Sequence, residues 1–496
     1  MIEEIVKNIQ EGKDVRRNLS ELRKEIKDKT KKLSLLYKLG NNFNVLLKLL
    51  EHEDAKVRKS TALLLGELGI QEALDILYNK YVTEDKLFIR SSYVTAMGYL
   101  NCEKYLEAFK ERALELSKLE LTTENRKHIL EELRELTSII VQSEGIPSHL
   151  FIGYHEPSSI ILLTNRNYTD VTLRQLEGLK AKEFNAGIML QTNHLEEVLA
   201  IRTYQELLFI VSGMKSCETD TNKAAETIVN SSLLEFLTKR HKGDAPFYFR
   251  VEVKSRLPLD KKSEFAKKLS AEIELQSERK FINNPSNYEF EIRVIQNKEG
   301  NFNLLVKLFT ILDDRFTYRK HITATSIKPS NAALVMELVK DYLKPEAKVL
   351  DPFCGVGTML IERHKLVKAN TMYGIDILEE AINGARINTK EAHQIAHYIN
   401  KDFFEFSHEY LFDEVITDMP FMIGKITKDE IYELYDRFFT KIREHLTKDG
   451  IIIMYSHDKS IVQKLERLRG FMIDKIFEIS RKEGTYVFVL KSYSGK

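Results

Sequence analysis

Between Lys348 and His457 the chain alternates short apolar runs with helix-prone stretches, and this alternation restricts its fold more than any other feature. KVLD, TMYGIDIL, AHYIN, DEVITDM and GIIIMYSH have the length and β-branched content of strands. Most are separated by ten or more residues of helical pattern, such as AINGARINTKEA. Strands joined by helices of that length pair in parallel, with helices covering both faces of the sheet. A helix at NAALVMELVKDYL (331–343) opens the region. Its end, FMIDKIFEISRKEGTYVFVLKSY, is two strands about a tight Lys482–Gly484 turn, which predicts a closing hairpin with one antiparallel strand in the sheet.

The 496 residues are too many for one core and predict about three domains. Residues 1–142 contain no proline, and Leu, Lys and Glu recur at helical spacing, so this region is expected to be all α. Within it DAKVRKSTALLLGELG (54–69) realigns with KLFIRSSYVTAMGYLN (86–101), placing Arg58 on Arg90, Gly66 on Gly98 and Leu68 on Leu100. A helix pair of this size buries its apolar stripe only by stacking on a neighbour. The pattern is similar to HEAT repeats; an irregular helical bundle is the alternative. After SEGIPSHLF (143–151) the texture becomes α+β. Strands are predicted at SIILLT (159–164) and GIMLQT (187–192), with a helix at VTLRQLEGLK and a helix running into a strand over IRTYQELLFIVS (201–212). Beyond Ala245 follow FYFRVEVKS, a helix around 261–279, EFEIRVIQ and FNLLVKLFTIL.

Charge and cysteines mainly exclude. Lys plus Arg number 75 against 74 Asp plus Glu, so a nucleic-acid surface would have to be local. Such a local excess lies between Lys239 and Lys268, where ten basic residues face four acidic ones. It suits a phosphate backbone, or a solvated lysine-rich helix face. Cys102, Cys217 and Cys354 are far apart and without CxxC pairing, so neither a disulfide framework nor a metal site is expected. With no apolar run near the roughly 20 residues that span a bilayer, and a charged N-terminus, a cytoplasmic location is expected.

VLDPFCGVGT (349–358) ends a strand and starts a helix. Gly355 and Gly357 let the backbone turn sharply and approach a ligand closely. A dinucleotide fingerprint would need glycine where Leu360 stands, and no Gly-Lys-Ser/Thr is present for a nucleoside triphosphate. A ligand with an adenosine and a sulfonium but no phosphate suits Asp351 at the strand tip. Asp376 after the next strand can accept both ribose hydroxyls, and Asp402 after the third can accept the adenine amine. Acids at three successive strand ends behind a glycine loop are more than turn residues.

At the fourth strand end, Asp418-Met419-Pro420-Phe421 is similar to the (D/N/S)-P-P-(Y/F) motif of methyltransferases acting on exocyclic amines of bases. The Asp418 oxygen and a carbonyl beside Pro420 can hold the amine protons and aim the nitrogen lone pair, while Phe421 can stack on an unpaired base.

KVLDPFCGVGTMLIE, GIDI and TDMPF together resemble the THUMP-domain RNA methyltransferases that make N2-methylguanosine, the UPF0020 type. RFTYRKHITATSIKPSNAALVMEL is similar to that family's entry into its catalytic domain, and EIRVIQNKEGNFNLLVKL to the last strands of a THUMP domain. Beyond the HEAT-like repeats (1–142), which are read from their own realignment, the resemblance implies four segments: an extension of the THUMP module (150–235), a THUMP-like RNA-binding domain (236–312), a linker (313–330) and a Rossmann-fold methyltransferase (331–496). It implies S-adenosylmethionine as cofactor, lined by Lys328, Pro329, Asp351, Phe353, Gly355, Gly357, Asp376, Ile377, Asp402 and Phe403. Asp418, Pro420 and Phe421 would act on the base. Lys254, Arg256, Lys261, Lys267, Lys268, Arg319 and Lys425 would contact RNA, with tRNA expected before rRNA. Guanine N2 and adenine N6 both fit the tip motif. Two features depart from the family: Met422 and Ile423 intervene before Gly424-Lys425, and the helical N-terminal region is extra, available to a protein partner or to RNA.

Overall fold

A computed structural model describes residues 2–40, 43–119, 122–146, 149–422 and 427–492. Two compact units divide the chain: Met1–Ser148 with Glu274–Tyr288, and His149–Ile273 with Glu289–Lys496. Nothing in the local sequence pattern marks the short segment between two strands of the middle region as part of the helical unit.

The first unit is helical, with successive helices at Ala55–Leu68, Leu74–Thr83, Leu87–Met97, Leu106–Lys118 and Arg126–Glu144. The 32-residue internal realignment has a structural counterpart. Arg58 donates to the carbonyl of His52, and Arg90 to the carbonyl of Glu84, in each case six residues back. A Cβ on Gly66 would lie 2.5 Å from the Ala96 carbonyl of Leu87–Met97, and one on Gly98 would lie 3.3 Å from Ile139 of Arg126–Glu144. Each glycine thus permits a close approach to the helix two further along the chain.

The middle of the chain forms one mixed sheet spanning both segments expected on either side of residue 235. Ser158–Leu163 pairs antiparallel with Gly187–Thr192 and with Glu206–Ile210. The last of these meets Phe302–Leu308 at Val306↔Phe209, and Phe302–Leu308 pairs with Phe290–Gln296, which runs parallel to Phe247–Lys254. The helix expected over the start of IRTYQELLFIVS lies earlier, at Leu195–Leu199. At the start of IRTYQELLFIVS the Gln205 amide donates instead to Leu163 (2.7 Å), and Arg315 donates to the carbonyls of Ile201 (3.1 Å) and Tyr204 (2.9 Å).

In the C-terminal region the strands are β1 (Lys348–Asp351), β2 (Thr371–Asp376), β3 (His397–Asn400), β4 (Phe412–Asp418), β5 (Leu446–Ser456), β6 (Phe471–Ser480) and β7 (Thr485–Ser492). Their order is β3-β2-β1-β4-β5-β7-β6. β7 runs antiparallel to both of its neighbours and the other pairings on the path are parallel, as the Lys482–Gly484 turn predicted. Helices α1 (Pro329–Leu338), α2 (Thr358–Leu366) and α3 (Glu379–Glu391) cover one face, and α4 (Lys428–Ile442) and α5 (Lys459–Leu468) the other. The division follows strand alternation: Val349 and Ile416 pack with the first set of helices, Leu350 and Val415 with the second. A fully buried pair, Arg363 on α2 and Glu414 on β4 at 2.9 Å, ties the first layer to the sheet.

This domain is clamped to the middle sheet. Glu362 on α2, 2% exposed, accepts two bonds from Arg202 (2.7 and 3.0 Å) and one from the Tyr318 hydroxyl (2.6 Å). Asn165 and Asn167 donate to the carbonyls of Ile479 and Glu478 on β6. Among the described residues, no helix is long and apolar enough to cross a membrane.

Candidate active site

Parallel strands β1 to β4 end on the same edge, so the residues just past them converge on one cleft. It encloses about 640 Å³ and is lined by Asp351, Phe353, Gly355, Asp376, Ile377, Asp402, Phe403, Asp418, Pro420 and Phe421. Ten expected site residues from four strand ends therefore share one cavity.

Each acid is fixed by local backbone. Asp351, 1% exposed, accepts from the Phe353 amide at 3.1 Å. Burial drives its carboxyl well above the usual range, and the nearby Asp418 and Asp376 push the same way. Asp376 accepts from Gly355 N at 2.9 Å through one oxygen and from Leu378 N at 2.8 Å through the other. Its carboxylate is thereby held across the glycine loop with lone pairs to spare. Asp402 caps the short turn Phe403–Glu405 by accepting from Phe404 N at 2.9 Å. Phe353 packs against Phe403 and Phe404, and the Arg437 guanidinium lies 3.8 Å over the Phe404 ring.

The two glycines do different work. Gly355 has φ +50°, donates to Asp376, and among the described residues nothing lies within 4 Å of where its Cβ would be, which leaves the cleft open there. Gly357, at φ +80°, lies outside the lining; its Cβ would come 2.4 Å from the Tyr398 hydroxyl. It is required for packing at the start of α2 and does not face the cleft.

Asp418 is half-buried, and its Oδ1 is closed to solvent with no hydrogen-bond partner among the described residues. Burial raises its carboxyl to about 7. Cys354 also lines the cleft; burial lifts its thiol well above the ordinary value, which leaves it un-ionised and unsuited to nucleophilic attack.

Several expectations need correction. Lys328 and Pro329 do not line the cleft, because they are the cap and first residue of α1. The wall they were expected to form is Thr323, Thr325, Ser326 and Ile327, just upstream. Arg319 is half-buried and donates to the Ile327 carbonyl at 2.9 Å, bracing that wall. Lys425, with Ile423 and Gly424, lies outside the described residues. On the helix Leu259–Gln276, Lys261 and Lys268 are exposed but paired with Glu264, and Lys267 is exposed nearby.

Lys254 and Arg256 line a second, larger cleft of about 1500 Å³. Arg166, Lys262, Lys298 and Lys482 join them, against a single carboxylate, Glu252, among the described lining residues. Lys482 comes from the β6–β7 turn, so the catalytic domain supplies part of a surface otherwise built by the middle sheet. Sequence pointed to the 239–268 stretch but could not bring Arg166, Lys298 or Lys482 beside it.

The first cleft fits an adenosine-bearing cation: carboxylates at three strand ends, an open glycine turn and an aromatic wall, with a fourth carboxylate at the end of β4. Comparison with known proteins agrees. The family model of the RMKL-like methyltransferase domain, UPF0020, matches residues 317–482. A protein of Methanothermococcus thermolithotrophicus named as a probable tRNA (guanine(10)-N2)-dimethyltransferase is 30% identical over 126 residues, 24% of this chain and 74% of the relative. The structure of SMU.472, solved with S-adenosylhomocysteine, superposes with a TM-score of 0.52 at 14% identity, covering 68% of this chain and 99% of that one. A Listeria monocytogenes protein described as a predicted N6-adenine-specific DNA methylase superposes with a TM-score of 0.51 at 15% identity, covering 69% of this chain and 97% of that one. These two superpositions establish a shared fold. With its matched domain carrying the cleft, the chain belongs to the UPF0020 family of S-adenosylmethionine-dependent methyltransferases.

Proposed function

We propose that this protein methylates the exocyclic N2 amine of a guanosine in RNA, with tRNA the preferred substrate. The observation that carries the reading is Asp418, whose buried Oδ1 has no donor among the described residues, followed by Pro420 and Phe421, on the wall of the cleft that holds Asp351, Asp376 and Asp402. The tRNA relative supports guanine as the base and tRNA as the nucleic acid.

When bound, S-adenosylmethionine supplies an electrophilic methyl group. Asp376 would hold the ribose hydroxyls, Asp402 the adenine amine, and Asp351 would line the sulfonium end. Phe353, Phe403 and Ile377 would shape the adenosine seat. An ionised Asp418 accepts hydrogen from the target amine, which turns the nitrogen lone pair toward the cleft. With an acidity near neutral, Asp418 can also take the proton the amine sheds after transfer. Phe421 offers a ring face to a base removed from its helix.

For RNA, we read the basic cleft with Lys254, Arg256 and Lys482 as the phosphate track, in a module of THUMP type formed jointly by residues 150–235 and 236–312. Lys267 and Lys268 would extend it along their helix. The N-terminal unit is read as short HEAT-like repeats that dock a protein or a further stretch of RNA.

The test is to incubate the full chain with methyl-labelled S-adenosylmethionine and unmodified tRNA, rRNA fragments or DNA, then digest and identify the labelled nucleoside. N2-methylguanosine in tRNA is the expected product. N6-methyladenine in any substrate would replace the base, and label in rRNA alone would replace the nucleic acid.

A further inference from the structure

Phe421 has a second ring behind it. His457, one residue past β5, lies against it with ring centroids 3.9 Å apart and planes 17° apart. Phe421 lines the cleft and His457 does not, so the imidazole covers the face turned away from the cavity. At that separation the two rings already touch, and no base fits between them. Tyr455, at the end of β5, meets the imidazole edge-on at 5.8 Å and 75°. Neither ring nitrogen of His457 has a hydrogen-bond partner among the described residues, so ring contacts carry its side-chain packing.

The need for such a backing follows from chain geometry. Phe421 stands three residues beyond the end of β4, and Met422 after it is exposed. A ring at a half-open cleft mouth samples several rotamers unless something holds it, and each base capture would then bear the ordering cost. A ring fixed from behind offers its free face ready-made.

We propose that His457 is a positioning residue for the target base: imidazole, Phe421 ring and base form a three-layer stack, with the base on the cleft side. This rests on reading the cleft as the site of methyl transfer to an exocyclic amine. The sequence carries no sign of it, since 36 residues separate the two rings and β5 alone brings them together.

The test compares wild type with His457→Ala, His457→Asn and His457→Phe by steady-state methyl transfer to tRNA and by calorimetric binding of S-adenosylhomocysteine. Ala and Asn are expected to lower kcat/KM for RNA roughly 3- to 10-fold, the loss of one aromatic stacking partner. Cofactor affinity should be unchanged, and Phe should restore most of the loss. Equal activity in Ala and wild type would refute the stack. So would Phe as impaired as Ala, which would assign the effect to a ring nitrogen. Faster turnover in Ala would mean that the imidazole occupies the base's own seat. A second readout is independent of turnover: quenching of 2-aminopurine in single-stranded RNA bound with S-adenosylhomocysteine, strong in wild type and Phe, weak in Ala and Asn. Wild-type protein that transfers no methyl group but keeps this quenching pattern would remove the reaction and leave the stack. Quenching alike in all four proteins would remove the stack whatever the reaction.

Discussion

Asp418→Asn separates what the carboxylate does for chemistry from what it costs the fold. Burial raises this carboxyl from its ordinary 3.8 to about 7. That difference corresponds to about 4 kcal/mol if fully expressed, and water reaching a half-exposed cleft wall reduces it to about 2 kcal/mol. The sign follows from linkage: a folded state with the higher pKa binds its proton more tightly than the unfolded chain, so stability is greatest at low pH. It is lost as pH rises from about 4 to about 7. Asparagine mimics the protonated acid and escapes that loss. Asp418→Asn should therefore match wild type near pH 4 and exceed it by about 2 kcal/mol at pH 8 in a pH series of denaturant titrations. Methyl transfer should behave oppositely, because only the ionised acid accepts hydrogen from the amine. Wild-type kcat/KM should climb about tenfold per pH unit below about 7 and then level, while the Asn variant stays nearly inactive throughout. An Asn variant no more stable than wild type at pH 8, or wild-type activity flat from about pH 5.5 to about 8.5, would refute the assignment of a raised, catalytically ionised Asp418.

Other perturbations test the frame around it. Gly357→Ala should destabilise the catalytic domain by about 2 kcal/mol through its φ of +80° and its 2.4 Å approach to Tyr398, and Tyr398→Phe should relieve part of that in a thermal-melt double-mutant cycle. Glu362→Gln removes the charge facing Arg202 and turns one of its two acceptor oxygens into a donor, and should cost about 2 kcal/mol; stability unchanged by calorimetry would show the clamp to be idle. Reversing Arg256 and Lys482 to Glu should weaken tRNA binding and reduce the slope of log K against log salt by about one for each phosphate no longer neutralised; a salt series with the wild-type slope would move the RNA surface elsewhere. Gly66→Ala, facing the Ala96 carbonyl at 2.5 Å, should destabilise the helical unit while S-adenosylhomocysteine affinity stays at the wild-type value.

Much of the site was legible in sequence because a parallel sheet converts order along the chain into position in space. Each strand delivers its last residue to the same edge, so Asp351, Asp376, Asp402 and Asp418 needed only correct strand ends to be placed together. The 32-residue realignment likewise marked Arg58 and Arg90, which each bond a carbonyl six residues back, although the Arg58–Glu84 ion pair across 26 residues was not legible there. The antiparallel closing strand was legible too, since a tight turn leaves a hairpin no other geometry.

Tertiary structure decided what depends on pairs far apart in the chain. It gave Gly357 to the Tyr398 hydroxyl, replaced Lys328 and Pro329 by Thr323, Thr325, Ser326 and Ile327, turned Arg319 inward, and tied Arg315 to two carbonyls more than a hundred residues away. It brought Lys482 from the last hairpin to Lys254 and Arg256, and set His457 behind Phe421. The backbone pattern fixes where strands end. Which side chains meet across the gaps between elements depends on packing, and no local periodicity carries that information.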